Sequence, residues 1–537
     1  MDHEVNIDSI RALEEQIREH ERTIVKLKRT RNSLLNVSKL PPELLGKIFR
    51  WNVIREDDFG GLNEGSHNFL LVCHHWFEVA LHTPELWSFW GNSMAEWARR
   101  CSRSGTAPLD LVLSDPGNAK SYTYFDTAMH DILQDHATQD AIRCVHLAAK
   151  DSRLLNSIIA PLTSNHDGEL RSNSIESFIL QNRSGTSSDV SDFFARYRFP
   201  KLQCIRLYNC TISSWDHLTS RTSVLTTLEL YFRHPSPTPT TSQLLPILTS
   251  NPALQRVKLS GCTIPADSGE PSSRVQLHHL KELQLDGYLR SVAGLLHQLD
   301  HPRNMENVSI NFHDCDVTDI SQIIGPYLRD HLQRRDRPQN GLDLHVLPRD
   351  QSSRIGIKLR VGNTHGTNFA PHWARENTFF DIGILLKGVP HRGVLRSATL
   401  GLLAYAPLEE IVYVHTDSNP ATMEDAHTRF PNLRALSFDV VSLPSAFPDP
   451  DLIADGKMFP SLEHVSLDYV GDGDLRPLVT FLAYRASSGN RLSTFEITGY
   501  SHICPEVLDY IEGMVGKLKV DQFHPRLICP FGTCQNS

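Results

Sequence analysis

The sequence predicts an α+β or α/β solenoid: a short N-terminal helix, a small helical unit, and then a long curved array of strand-helix repeats. Three observations predict it. Apolar residues recur at heptad spacing over 10–34, a proline-led apolar helix stands at 40–49, and one apolar phrase returns eleven times between 142 and 497. At 537 residues the chain exceeds any single hydrophobic core, so several structural units or an elongated array are expected. The parts read as 1–36, 37–90 and 91–537.

The first helix follows from Ile10, Leu13, Ile17, His20, Ile24, Leu27, Arg31 and Leu34, which step by three and four residues. Charged residues such as Glu14, Arg18, Glu21 and Lys28 flank this seam, while His20 and Arg31 interrupt it. Such a helix either packs on its own chain or pairs with another helix, a second copy included.

The second unit begins at LPPELLGKIF. Leu40 precedes a proline and is pushed towards extended backbone. Pro41 and Pro42 suit the start of a helix, and Glu43 suits its positive end. Leu44, Leu45, Ile48 and Phe49 then form an apolar stripe. Gly60, Gly61 and Gly65 break the chain before a second helical pattern that begins near Asn68 with Leu70, Leu71, Cys73, Trp76, Phe77 and Ala80, and Thr83-Pro84 punctuates before Leu86, Trp87, Phe89 and Trp90.

The third part carries the phrase apolar-x-x-apolar-x-apolar. It reads Ile142-Val145-Leu147, Ile175-Phe178-Leu180, Leu202-Ile205-Leu207, Leu225-Leu228-Leu230, Leu254-Val257-Leu259, Leu280-Leu283-Leu285 and Met305-Val308-Ile310. It returns as Leu408-Ile411-Tyr413, Leu433-Leu436-Phe438, Leu462-Val465-Leu467 and Leu492-Phe495-Ile497. From Leu202 to Met305 the starts lie 23, 29, 26 and 25 residues apart, within the leucine-rich-repeat period of about 20–29. Two repeats share wording, RLYNCTI at 206–212 and KLSGCTI at 258–264. The alternating core of each phrase predicts a strand, and stretches such as Leu244 to Pro252 predict helices packed behind it. Over 311–407 the phrase lapses, although Leu342 to Val346 and Arg354 to Val361 still alternate. That segment is either irregular repeats or an insertion.

The second unit resembles the F-box. Leu40, Pro41, Glu43, Leu44, Leu45, Ile48 and Phe49 match its first phrase, Val72, Cys73 and Trp76 its second, and Pro84, Leu86 and Trp87 its third. With the repeats behind it, the chain resembles fungal F-box and leucine-rich-repeat proteins. His74 departs from the basic residue usual after the cysteine, and the 51–67 loop is longer and more acidic than the usual spacer. The resemblance implies a non-catalytic substrate receptor of a Skp-cullin-F-box ubiquitin ligase, with the repeats holding a protein target. Carried over by position, the contacts to the Skp-type adaptor, and through it to a cullin, are Leu40, Pro41, Leu44, Leu45, Ile48, Phe49, Leu71, Val72 and Trp76. The other reading is a leucine-rich-repeat scaffold with a degenerate F-box and coiled-coil dimerisation.

Composition narrows the remaining classes. Hydrophobic residues make up 40% and charged residues 21%, with mean hydropathy −0.29, the balance of a globular chain. A net charge of −9 and a pI near 6.3 leave no basic footprint for nucleic acid. No run of 18 apolar residues predicts a membrane span, and MDHEVNIDSIRALEEQ has no signal-peptide core. Ten scattered cysteines fit a reducing compartment, cytoplasmic or nuclear.

Phosphate-loop, zinc-protease and nucleophile-elbow motifs are absent, so no enzyme and no cofactor are expected. Cys73-His74-His75 cannot converge on a metal from one helix, and Cys504, Cys529 and Cys534 with His502 lack a second paired motif. The Gly-Asp-Gly-Asp stretch at 471–474 lacks calcium-loop spacing and reads as a turn. Cys204, Cys210 and Cys262 read as core or turn residues within the repeats.

Overall fold

The computed structural model describes residues 2–53, 68–90, 103–114, 141–149, 170–171, 174–183, 187–222, 224–232, 238–262, 274–300, 302, 305–333, 341–347, 356–362, 378–386, 392–406, 408–417, 426–439, 458–468, 475–498 and 505–520. The acidic loop beyond residue 53, the 471–474 stretch, and Cys504, Cys529, Cys534 and His502 lie outside them. The chain forms two compact units, Met1–Thr227 and Leu228–Ser537, each a mixture of helices and mainly parallel strands.

In the first unit, helix α1 spans Asp2–Ser33, helix α2 Pro42–Val53 and helix α3 His74–Leu81. Leu40 is extended (φ −65°, ψ 139°), as the following proline requires, and the Pro41 carbonyl accepts from the Leu44 and Leu45 amides to open α2. Parallel strands follow at Phe89–Trp90, Leu109–Ser114, Ile142–Ala149, Ser177–Asn182 and Cys204–Tyr208. Leu111, Val145, Phe178 and Ile205 stand in one row, and Leu113, Leu147, Leu180 and Leu207 in the next. All eight side chains are buried. The phrase therefore sets the register: its second and third apolar positions stack from strand to strand, each repeat burying the apolar edge of its neighbour.

The second unit repeats this logic. Strands Arg256–Cys262, Glu282–Tyr288 and Asn307–Cys315 are parallel, with Val257, Leu283 and Val308 in one buried row and Leu259, Leu285 and Ile310 in the next. Helix Leu289–Gln298 packs against the last two strands through Val292, Leu295 and Leu296. The helix expected over Leu244 to Pro252 runs over Thr241–Ser250, opened by a capping box in which Thr240 accepts from the Gln243 amide and Gln243 accepts from the Thr240 amide. Strands Tyr413–Asp417, Ala435–Asp439, His464–Asp468, Thr494–Thr498 and Leu518–Val520 form a second parallel run, aligned on Val414, Leu436, Val465, Phe495 and Leu518.

The lapsed phrase has a structural cause. Strand Thr378–Leu386 pairs in parallel with Asn307–Cys315, Gly356–Gly362 lies antiparallel to it, and Gly341–Leu347 lies antiparallel to Gly356–Gly362 and parallel to Tyr413–Asp417. The three strands join the two parallel runs in reverse of chain order. Hairpin partners alternate in direction, so they do not carry the strand-helix period. One phrase is corrected. Val414, not Ile411, aligns with Leu436, so that repeat reads Ile411-Val414-Thr416 rather than Leu408-Ile411-Tyr413.

Two local devices recur. Asn209 and Gly261 occupy the same place in RLYNCTI and KLSGCTI, and both have left-handed backbone, φ 57° and 69°. A Cβ on Gly261 would stand 1.8 Å from the Phe232 carbonyl oxygen, so only glycine fits there. Phe199-Pro200-Lys201-Leu202, Phe430-Pro431-Asn432-Leu433 and Phe459-Pro460-Ser461-Leu462 make one turn three times: the leucine amide donates to the phenylalanine carbonyl, and both side chains are buried.

Candidate functional site

Helix α2 carries three stripes. Leu45 and Phe49 point into a small core with Phe69, Val79, Ala80, Leu86 and Trp87. Phe49 stacks on Phe69 at 4.5 Å between ring centroids, and Trp76 leans on Phe49 at 5.1 Å. The Trp87 indole N–H donates to the Ala80 carbonyl at 2.8 Å, and the Arg103 guanidinium lies over its ring at 4.6 Å. Val112 of the Leu109–Ser114 strand packs on the same cluster, so this core is continuous with the first long strand.

A second stripe faces outward. Leu44, Ile48 and Trp51 follow each other at helical spacing and are 46%, 44% and 75% exposed. Leu71 is 85% exposed and Val72 54%, at the turn leading into α3, while Pro41 is also exposed. Leu40 and Trp76 are partly buried, and the Trp76 Nε1 has no hydrogen-bond partner among the described residues. The expected adaptor contacts thus divide. Pro41, Leu44, Ile48, Leu71 and Val72 are accessible, and Leu40 and Trp76 sit at the boundary. Leu45 and Phe49, at 0% and 1% exposure, lie in the core of this chain. Trp51 was missed: it lies one turn beyond Ile48, where helical spacing alone extends the row.

The third stripe is polar. Glu43, Gly46, Lys47 and Arg50 line a groove of about 480 Å³ with Thr83 and Glu85 on its other wall. A Cβ on Gly46 would come within 3.3 Å of Thr83, so the glycine lets α2 approach that wall. His74 opens α3 with its Nδ1 3.7 Å from a Glu78 carboxylate oxygen, and the His82 Nδ1 lies 2.8 Å from the Glu78 carbonyl oxygen.

Among the described residues no group of three or more His, Cys, Asp or Glu side chains is placed to hold a metal, and no helix is long and apolar enough to cross a membrane. The strongly shifted groups lie within the strands. Burial pushes the Cys144 and Cys210 thiols up to about 12, which keeps them protonated. Burial, helped by Lys519, lowers His464 to about 4. Asp110 receives a bidentate pair of hydrogen bonds from Arg143 at 3.0 and 2.6 Å across adjacent strands, which raises the arginine further. On the Arg256–Cys262 and Glu282–Tyr288 strands, Arg256 and Lys258 both pair with Glu282, and His313 pairs with Asp286 at 2.9 Å. These contacts tie repeats to one another. None joins a nucleophile to a base.

No protein-family model matches the sequence, and no curated protein matches it.

Proposed function

We propose that the chain is the substrate-recognition subunit of a Skp-cullin-F-box type ubiquitin ligase. In this reading 37–90 is an F-box that docks on a Skp-type adaptor, which joins it to a cullin. The strand array is an irregular leucine-rich-repeat solenoid that holds a protein target. The observation that carries the reading is the divided face of α2. A small domain with few apolar residues to spend buries Leu45 and Phe49 yet leaves Leu44, Ile48 and Trp51 exposed in a row, with Leu71 and Val72 exposed before α3. Exposed aromatic and aliphatic side chains gathered on a rigid helix suit a partner surface, where such residues supply most of the binding energy. The chain then does no chemistry and takes no cofactor, and a cytoplasmic or nuclear setting suits it.

The test is affinity purification of the full chain from cells with the proteasome inhibited. Adaptor and cullin are expected to co-purify with the wild type, and both should be lost with Leu44→Glu combined with Ile48→Glu. A second reading, a repeat scaffold with a degenerate F-box, is favoured by one feature: His74, paired with Glu78, in place of the usual basic residue. Proteins recovered without adaptor from the wild type would select the scaffold.

A further inference from the structure

Helix α1 has an apolar row and no cover. Every residue from Ile7 to Arg31 is exposed, including Ile10, Leu13, Ile17, Ile24 and Leu27, so among the described residues none of the helix's faces is buried against its own chain. We infer that α1 is one half of a parallel, in-register, two-stranded coiled coil formed with a second copy of this chain.

Three features identify the occupant. With Ile10 taken as heptad position a, the a positions hold Ile10, Ile17 and Ile24 and the d positions within the helix Leu13 and Leu27. β-Branched residues at a with leucine at d favour two parallel strands. The helix's own ion pairs, Arg11 with Asp8, Arg18 with Glu15, and Arg22 with Glu15 and Glu19, all fall at positions b, c and f, on the face turned away from the seam. In-register parallel pairing sets the g and e positions as Ser9 against Glu14, Gln16 against Glu21 and Thr23 against Lys28, so no like charges oppose. Arg31 at a and His20 at d each meet their own copy in this register, which costs stability. The inference does not depend on what α2 binds.

Sedimentation equilibrium of the full chain at micromolar concentration should return twice the 60.6 kDa chain mass. Ile17→Asp combined with Ile24→Asp should return the single mass with unchanged thermal melting, since neither side chain touches the folded units. His20→Leu should tighten the dimer by about tenfold. Leu27→Cys should cross-link to its own copy under mild oxidation, with peptide mapping joining the two substituted positions, as parallel in-register strands alone allow. A wild-type chain that stays monomeric, a dimer that survives the double aspartate change, or a Leu27→Cys dimer that does not self-link would overturn the inference.

Discussion

Arg485 shows how single side chains hold the repeats. It is buried in the Arg476–Ser487 helix and donates to the carbonyls of Phe459 at 2.7 Å, Leu462 at 2.7 Å and Asn490 at 2.8 Å, so one guanidinium fastens the Phe-Pro-Ser-Leu turn to the helix end. Replacing it with methionine strands buried carbonyls and should cost about 2–4 kcal/mol in chemical denaturation, and Arg485→Lys should recover less than half. His464 adds a pH dependence. The unfolded imidazole takes a proton near pH 6.5, whereas the folded one resists until about pH 4, so its contribution is full above about 6.5 and is lost as pH falls through that window. Urea midpoints measured from pH 7 to 4 should fall more steeply in the wild type than in His464→Gln, with the difference approaching about 3 kcal/mol. Neither role was legible beforehand. A buried arginine and a surface one are written with the same letter, and what buries Arg485 includes a turn at Phe459 and Leu462, 26 and 23 residues away. Asn209 and Gly261 were half legible: the shared wording marked an equivalent place, and only the backbone angles explain why Asn and Gly fill it.

Among elements, α2 has the most divided sequence logic. Leu44, Leu45, Ile48 and Phe49 look alike as letters. Their alternation between core and solvent follows from where α3 and the Phe69 turn lie, which heptad-like spacing cannot tell. The structure gives a clean separation of effects. Phe49→Ala removes the ring stacked on Phe69 and should lower stability by about 3–5 kcal/mol, read as a fall in Tm. Leu44→Glu and Ile48→Glu, on the exposed row, should leave Tm within error, since surface changes usually stay within about 0.5 kcal/mol. Strands were more legible than helices because the phrase itself supplies the register. The exception was 341–386, where antiparallel neighbours replace the strand-helix repeat and the period vanishes with it.

At the scale of the whole molecule, the proposed function assigns a target to the repeats and an adaptor to the exposed face of α2. The array stabilises itself through stacked apolar rows and cross-strand pairs such as Arg143 with Asp110. The exposed α2 row, Leu44, Ile48 and Trp51, is the surface that the proposed function assigns to another protein. Calorimetric titration of the purified full chain with a purified Skp-type adaptor tests this most directly. Saturable one-to-one binding per chain is expected, weakening at least about thirtyfold with Leu44→Glu and Ile48→Glu at unchanged Tm. No heat of binding with the wild type, or equal affinity in the folded double variant, would contradict it.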